Sequence, residues 1–358
     1  MNRLIIVHNP RASKHALIKN EVLIPATKLK GYTIGKFEVK PISVDDNSTN
    51  LSKLLLDGDL IIAAGGDGTS AVALNGAMLS QKDVTLAVLG FGNFNDFSRT
   101  LGYKSLSEII ADYESASTSP TSSNATPTIN SQVNSTTPIA PRTISTEPND
   151  SQNVHLKTLY PLEAIVDGEH FRYAACYFTI GMFAESTEIF DQKPTRTSLR
   201  TGKKSLFFSI FTLAKWYFKH KKEHFLPDDV LLNNSPVNNI KPLRSGKKTR
   251  VSGGRVSDIL FVNGKTVAKI MRGSSNWWGN STDYYLSVGK LSSFFRLISF
   301  MAKSFFCRIP GNVVTKTTTV TFPTPSEIEI QAEGEYRKLK MQNLTIQKSK
   351  QGIKVLAK

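Results

Sequence analysis

The sequence is short of cysteine, of acidic residues and of long apolar runs. Only Cys176 and Cys307 occur in 358 residues. That excludes a disulfide scaffold and a four-cysteine zinc site, and fits buried free thiols in a reducing compartment. No run of about 18 uncharged apolar residues exists, so a membrane-spanning helix is not expected. Met1-Asn2-Arg3 leads straight into Leu4-Ile5-Ile6-Val7, which stops at His8-Asn9-Pro10. This is too brief for a signal-peptide core and has no small-residue cleavage site behind it, so a cytoplasmic protein is expected. Asp and Glu number 29 against 45 Lys and Arg, a formal charge of +16. Such a surplus favours a polyanionic partner: nucleic acid, nucleotide phosphates or an anionic membrane face. Zinc-finger, recognition-helix and RNA-binding strand patterns are missing, so no specific nucleic-acid partner is expected.

What is present is enough apolar material, 40% of residues, for a sizeable core. Over residues 1–113 short apolar runs alternate with helically spaced segments. Leu4–Val7, Thr33–Val39, Leu60–Ala63 and Val84–Leu89 read as strands; about 13–29, 45–56, 69–79 and 106–113 read as helices, with Pro25 as a kink or break. That rhythm predicts an α/β domain with a mainly parallel open sheet. Residues 115–152 are different: 17 of the 38 are Ser or Thr, five are Pro and four are Asn, with no aromatic. Residues 114–154 are read as a disordered insertion, because such a composition cannot bury enough apolar surface to offset its ordering entropy. Residues 155–349 read as an antiparallel, β-sandwich-like domain. It has hairpins at Asp167-Gly168 and Asn263-Gly264, strands at 315–322, 327–332 and 339–346, and helices near 205–222 and 291–306. A tail of about 350–358, with a strand at 353–356, returns to the first domain.

The most informative residues are Leu60-Ile61-Ile62-Ala63-Ala64-Gly65-Gly66-Asp67-Gly68-Thr69. A buried strand ends in three glycines around a carboxylate, and a helix begins. Glycines let backbone N–H groups converge on an anion with no Cβ in the way, and the helix N-terminus adds partial positive charge. Phosphate is therefore the natural guest, although an ordinary βα turn also uses glycines for close packing. A Walker loop is absent, since Gly202-Lys203-Lys204-Ser205 lacks the upstream glycine and the spacing.

Gly65-Gly66-Asp67-Gly68-Thr69 resembles the GGDGT signature of the diacylglycerol kinase catalytic-domain family, which is related to sphingosine and ceramide kinases and more distantly to NAD kinases. Three further segments match in order. Asn9-Pro10 resembles the family's NP-x-SG loop, Gly92-Asn93-Phe94-Asn95-Asp96-Phe97-Ser98-Arg99 its G-T-x-N-D-F-A-R segment, and Glu333-Gly334-Glu335 its D-G-E. Bacterial soluble lipid kinases are similar in size and layout. The resemblance implies an ATP- and Mg2+-dependent phosphotransferase with an alcohol acceptor, diacylglycerol or a similar amphiphile. The first domain would hold the nucleotide and the second the lipid. It implies phosphate and nucleotide contacts from Asn9, Pro10, Arg11, Ala12, Ser13, Gly65, Gly66, Gly68, Thr69, Gly92, Asn93, Asn95 and Asp96. Glu335 matches the carboxylate that takes the hydroxyl proton, with Asp67 as its rival for that role. Asp283, in Thr282-Asp283-Tyr284-Tyr285-Leu286, matches the remnant of a D-D-G-x-L segment that can hold a structural magnesium. The chain departs from the pattern at Ala12-Ser13, Val72 and Asn93. These departures leave open another acceptor, such as a sphingoid base or NAD, or a weakened nucleotide- and membrane-binding protein.

Residues 193–222 carry nine basic and no acidic residues around an apolar, Phe-containing stretch. In 291–306, Ser292, Arg296, Ser299 and Lys303 form a narrow polar stripe on a helix otherwise filled by Phe, Leu, Ile and Met. Both helices could pack on the β domain. Their chemistry also suits an anionic bilayer, where each nearby Lys or Arg contributes about 1 kcal/mol. The expected partners are ATP and a lipid acceptor at an anionic membrane surface, with peripheral membrane association and a homodimer left open.

Overall fold

The computed structural model describes residues 2–92, 95–118, 155–185, 217–218, 226, 229–236, 256–267, 271–273, 278–289, 294–306, 309, 311–315 and 317–358. The insertion from 119 onward, Asn93, Cys307 and nearly all of the basic 193–222 stretch lie outside the described residues.

The first lobe runs β1 (Asn2–His8), α1 (His15–Ile18), a π-helical turn (Lys19–Leu23), α2 (Ile24–Ala26), β2 (Tyr32–Glu38), α3 (Val44–Ser52), β3 (Leu60–Gly65), α4 (Asp67–Ser80), β4 (Thr85–Gly90), α5 (Asp96–Leu101) and α6 (Leu106–Thr118). Pro25 does not break the first helical run. It falls in the first turn of α2, directly after the π turn, where its missing N–H donor is tolerated. α6 runs beyond Tyr113 to Thr118, and its Ser115 and Ser117 hydroxyls donate back to the Ala111 and Tyr113 carbonyls. α4 is buried over Thr69–Met78, and Gly76 lets α3 lie against it, since a Cβ there would come within 2.7 Å of the Leu51 side chain.

The sheet order is β2-β1-β3-β4-β18-β5, with β5 (Leu156–Leu159) and β18 (Ile353–Leu356) supplied by distant parts of the chain. All neighbours are parallel except β18 with β5. The four residues of β5 therefore belong to the first sheet, although the sequence reading groups them with the second domain. Leu4–Val7 and Leu60–Ala64 are buried throughout, as befits parallel strands covered on both faces.

Among the described residues the second lobe is built on a ten-stranded antiparallel sheet, with a separate two-stranded one. Along its main path lie β15 (Asn312–Val314), β14 (Tyr284–Gly289), β11 (Asp258–Val262), β8 (Tyr177–Gly181), β16 (Thr318–Ala332), β17 (Glu335–Lys348), β6 (Leu162–Val166) and β7 (Glu169–Ala174). Its core unites Phe178, Ile180, Phe261, Tyr284, Phe322 and Leu344. Residues 318–322 and 327–332 belong to a single strand, β16. The register shifts between Thr321 and Ser326, where Pro323 and Pro325 cannot donate to a ladder. The hairpin expected at Asn263-Gly264 does not form: β11 pairs with β8 and β14 instead, while β12 (Thr266–Val267) pairs with β13 (Met271–Arg272). Asn263 is fully buried, and its amide donates to the Tyr160 and Ala175 carbonyls. Tertiary partners there override a local turn signal.

The lobes share a continuous core that includes Leu74 of α4 beside Tyr177, Leu260 and Trp278. The Asn75 side chain on α4 extends the backbone ladder of β7, donating to the Tyr173 carbonyl at 3.0 Å and accepting from its N–H at 2.8 Å. Arg172 on β7, only 1% exposed, forks onto the Asp45 carboxylate of α3 at 2.7–3.0 Å.

Candidate active site

Three βα loops meet at the carboxyl ends of β1, β3 and β4, where open parallel sheets commonly bind ligands. The strand register sets them side by side: His8 pairs with Ala64, and Gly65 with Gly90. After β1, the Asn9 side chain accepts from the Arg11 N–H at 2.9 Å and its carbonyl from the Ala12 N–H, closing a tight turn through Pro10 toward Ser13. After β3, Gly66 precedes α4, and Asp67, Gly68 and Thr69 form its first turn. After β4 comes Gly92, where a Cβ would sit 2.5 Å from the Gly66 Cα. The two loops touch backbone to backbone, and only glycine fits.

Asn95 holds the third loop. Its side chain accepts from the Gly92 N–H at 2.8 Å and donates to the Gly92 carbonyl at 2.9 Å, while its own backbone is left-handed, φ 54°. The freed N–H groups of Asn95 and Asp96 point at Asp67, whose two carboxylate oxygens accept at 3.0 and 3.1 Å. Asp96, 1% exposed, accepts from Arg99 at 2.9 Å and from the Thr266 hydroxyl of the second lobe at 2.8 Å. Burial first, and the negative charge of Asp96 second, push Asp67 up to about 7, although its N–H donors oppose this.

The second lobe enters at the tip of its longest hairpin. Between β16 and β17, Glu333 (φ 50°) and Gly334 (φ 86°) are both left-handed, the conformation of a two-residue turn matched to strand twist. This tip lies against the start of α4: the Glu335 side chain occupies the space beside Gly68 that a Cβ there would fill, and a Cβ on Gly334 would sit 3.7 Å from that of Asp67. Glu335 and Asp67, the two carboxylates expected to share a site, are thus brought together from opposite lobes.

Glu333 has no role in the sequence reading, yet it is a buried acid of the group, 3% exposed beside Asp96 at 1%. One carboxylate oxygen accepts from the Cys176 N–H and the other is unpartnered. Burial, with Asp67 and Asp96 adding to it, raises it to about 8. Its place as the first acid of Glu333-Gly334-Glu335 was the available signal. Cys176 is buried as expected, and burial together with Glu333 lifts its thiol well above the usual range.

Asp283 stands apart from this constellation. Its carboxylate accepts from the Asn280 amide at 2.8 Å and the Thr282 hydroxyl at 2.9 Å. The cation acting on it is Lys348, which donates to the Tyr160 carbonyl and to Asn263, and which burial lowers to about 7. Among the described residues no group of three or more His, Cys, Asp or Glu is arranged to hold a metal.

A two-lobed α/β protein whose glycine loops converge under a carboxylate hairpin is the class that fold and site define. Residues 3–123 match the family model of the diacylglycerol kinase catalytic domain. The chain is 32% identical over 105 residues to the diacylglycerol kinase of Bacillus subtilis strain 168, an alignment covering 28% of this chain and 34% of the relative. It thus spans about a third of the length of the curated relative it matches. A crystal structure of a diacylglycerol kinase from Bacillus anthracis strain Sterne shares the fold, with TM-score 0.57, 18% identity, and coverage of 100% of this chain and 97% of that one. A second structure from that organism gives TM-score 0.60 at 17% identity and the same coverage. The resemblance to the diacylglycerol kinase catalytic-domain family therefore holds: residues 3–123 form a diacylglycerol kinase-like catalytic domain. Such a family implies ATP and usually a divalent metal. No helix among the described residues is long and apolar enough to cross a membrane.

Proposed function

We propose that this chain is an ATP-dependent lipid kinase that transfers the γ-phosphoryl group to the hydroxyl of diacylglycerol or a similar amphiphile. The observation that carries this reading is Glu335, a carboxylate of the second lobe lying against Gly68 of the glycine loop. Phosphoryl transfer needs little beyond in-line positioning, charge neutralisation and a base for the attacking hydroxyl. The Gly65–Thr69 loop at the α4 N-terminus would supply backbone donors to the phosphates, with the Asn9–Ser13 turn beside it, while the N–H groups of Gly92, Asn95 and Asp96 are spent on Asn95 and Asp67. Glu335 receives the acceptor proton as the hydroxyl oxygen bonds to the γ-phosphorus and the bond to the bridging oxygen of ADP breaks.

A magnesium ion carried on the nucleotide would spread phosphate charge, and such an ion needs only one or two protein carboxylates. Asp67 suits that part. It is pressed against Asp96 and held near neutral pKa, so a neighbouring cation would relieve it and restore its charge.

The test is radiolabelled ATP with magnesium and a panel of diacylglycerol, sphingoid base and NAD, comparing wild type with Asp67→Ala and Glu335→Gln. Lipid phosphorylation that falls by about 10²–10⁴-fold in Glu335→Gln, with ATP binding retained, supports the reading. ATP binding without transfer to any lipid overturns it.

An acceptor dissolved in a bilayer must be reached at its surface, and α7 (Phe294–Phe306) suits that contact. It buries Leu297 and Phe300, the latter ring 5.8 Å from that of Phe183. Phe295 stands 85% exposed beside exposed Arg296 and Lys303. We expect co-sedimentation with anionic but not neutral vesicles, weakened by salt and by Phe295→Ser. Indifference to lipid charge would remove the membrane part of the proposal and leave the kinase part standing.

A further inference from the structure

A cavity of about 280 Å³ opens between the edge strand β2 and the helical run that covers it, lined by His8, His15, Lys19, Leu23, Ile24, Thr27, Lys36 and Glu38. None of these residues comes from β3, α4, α5 or the second lobe, so the cavity is distinct from the Gly65–Thr69 loop, although His8 and His15 flank the Asn9–Ser13 loop of the candidate site. His8 is 2% exposed, and neither of its ring nitrogens has a partner; His15 Nδ1 is likewise buried and unpartnered. The two rings stack, with centroids 5.6 Å apart and planes inclined by 22°. Glu38, 4.0 Å from His8 Nε2, lies beyond hydrogen-bond reach. Buried polar groups left without partners call for an occupant. A single water would need only about 10–15 Å³ of such space, far less than is there.

The lining selects the occupant. Two lysines and two imidazoles offer donors, against one carboxylate that is two-thirds exposed. A metal ion does not fit, because no group of three or more ligating side chains is arranged for one among the described residues. The charge of Lys19 and Lys36 matches a dianion, and the aliphatic side chains of Leu23 and Ile24 can cover a small organic body. We infer that this cavity binds a phosphate dianion, free or as the head of a small monoester, between the His8–His15 stack and the Lys19 and Lys36 ammonium groups.

The consequence for the molecule follows from connectivity. His8 ends β1 and His15 begins α1, so the stack closes the base of the Asn9–Ser13 loop. An anion bound to both rings ties the two ends of that loop together. Burial keeps His8 below its ordinary 6.5, with His15 and Lys36 adding to the effect and Glu38 opposing it. An incoming dianion reverses the balance.

The test is imidazole-detected NMR of the full chain labelled at histidine, titrated first with inorganic phosphate and then with glycerol 3-phosphate. The paired His170 on β7 serves as reference. Saturable shifts of His8 and His15 near a Kd of about 1 mM, weakened about tenfold in Lys36→Gln and restored in Lys36→Arg, support the site. Tighter binding of glycerol 3-phosphate would identify a monoester, and equal affinity free phosphate. Unmoved His8 and His15 signals, a non-saturating drift shared with His170, or saturable shifts unchanged in Lys36→Gln would each overturn the inference.

Discussion

Glu333 combines two properties that seldom coexist, a buried acid and a left-handed backbone in a residue with a Cβ. At the hairpin tip it anchors the Cys176 amide, and its neighbours Asp67 and Asp96 oppose its ionisation. Because the folded chain keeps a proton that the unfolded chain releases, Glu333 contributes stability that is full below 4.5 and lost as pH rises through about 8. Asp67 acts in the same direction between 3.8 and about 7. Urea midpoints should therefore fall from pH about 5 to about 7, above which the lowered Lys348 opposes the trend, and fall less in Glu333→Gln. An unchanged slope in the variant would mean that Glu333 is ionised throughout. The glycine loop and Glu335 were legible because each sits in a short contiguous motif. The pairing of Asp67 with Asp96 was not, since it depends on the left-handed turn at Asn95 that frees two N–H groups.

Among the elements, α4 carries the most functions at once: its first turn holds Asp67, its buried middle fills the core, and Asn75 joins it to β7. Asn75→Ala would strand the N–H and carbonyl of Tyr173 in a buried interface. It should cost about 2–4 kcal/mol, read as a drop in urea midpoint; a loss under about 0.5 kcal/mol would show that water replaces the amide. The strands and helices of the first lobe were readable because continuous apolar runs and helical spacing coincide with capping residues, as at Ser43, whose hydroxyl accepts from the Asp46 N–H. Asn263-Gly264 misled for the opposite reason. Its local hairpin signal loses to the buried hydrogen bonds that Asn263 makes with Tyr160, Ala175 and Lys348. Nothing in periodicity marked Arg172 for Asp45, because both look like surface charges until the lobes meet.

For the whole molecule, the two lobes are bound by a shared core and by a strand exchange. β18 lies between β4 and β5, with Ile353, Val355 and Leu356 buried. Truncation before Gly352 removes three side chains worth about 1.5–3 kcal/mol each, about 5–9 kcal/mol against a typical total of 5–15. The truncated chain should lose its cooperative thermal transition. A retained transition would mean that the first sheet closes without β18.

That same strand sets a clock. β4 and β18 are adjacent in space, yet the entire second lobe is made between them. At about 5–20 residues per second, a ribosome leaves the open flank of β4 uncovered for on the order of tens of seconds. An unpaired strand flank of that kind invites pairing with another chain. The nascent protein thus depends on whatever shields β4 in the interval, and its yield in the cell should track chaperone supply more closely than its final stability.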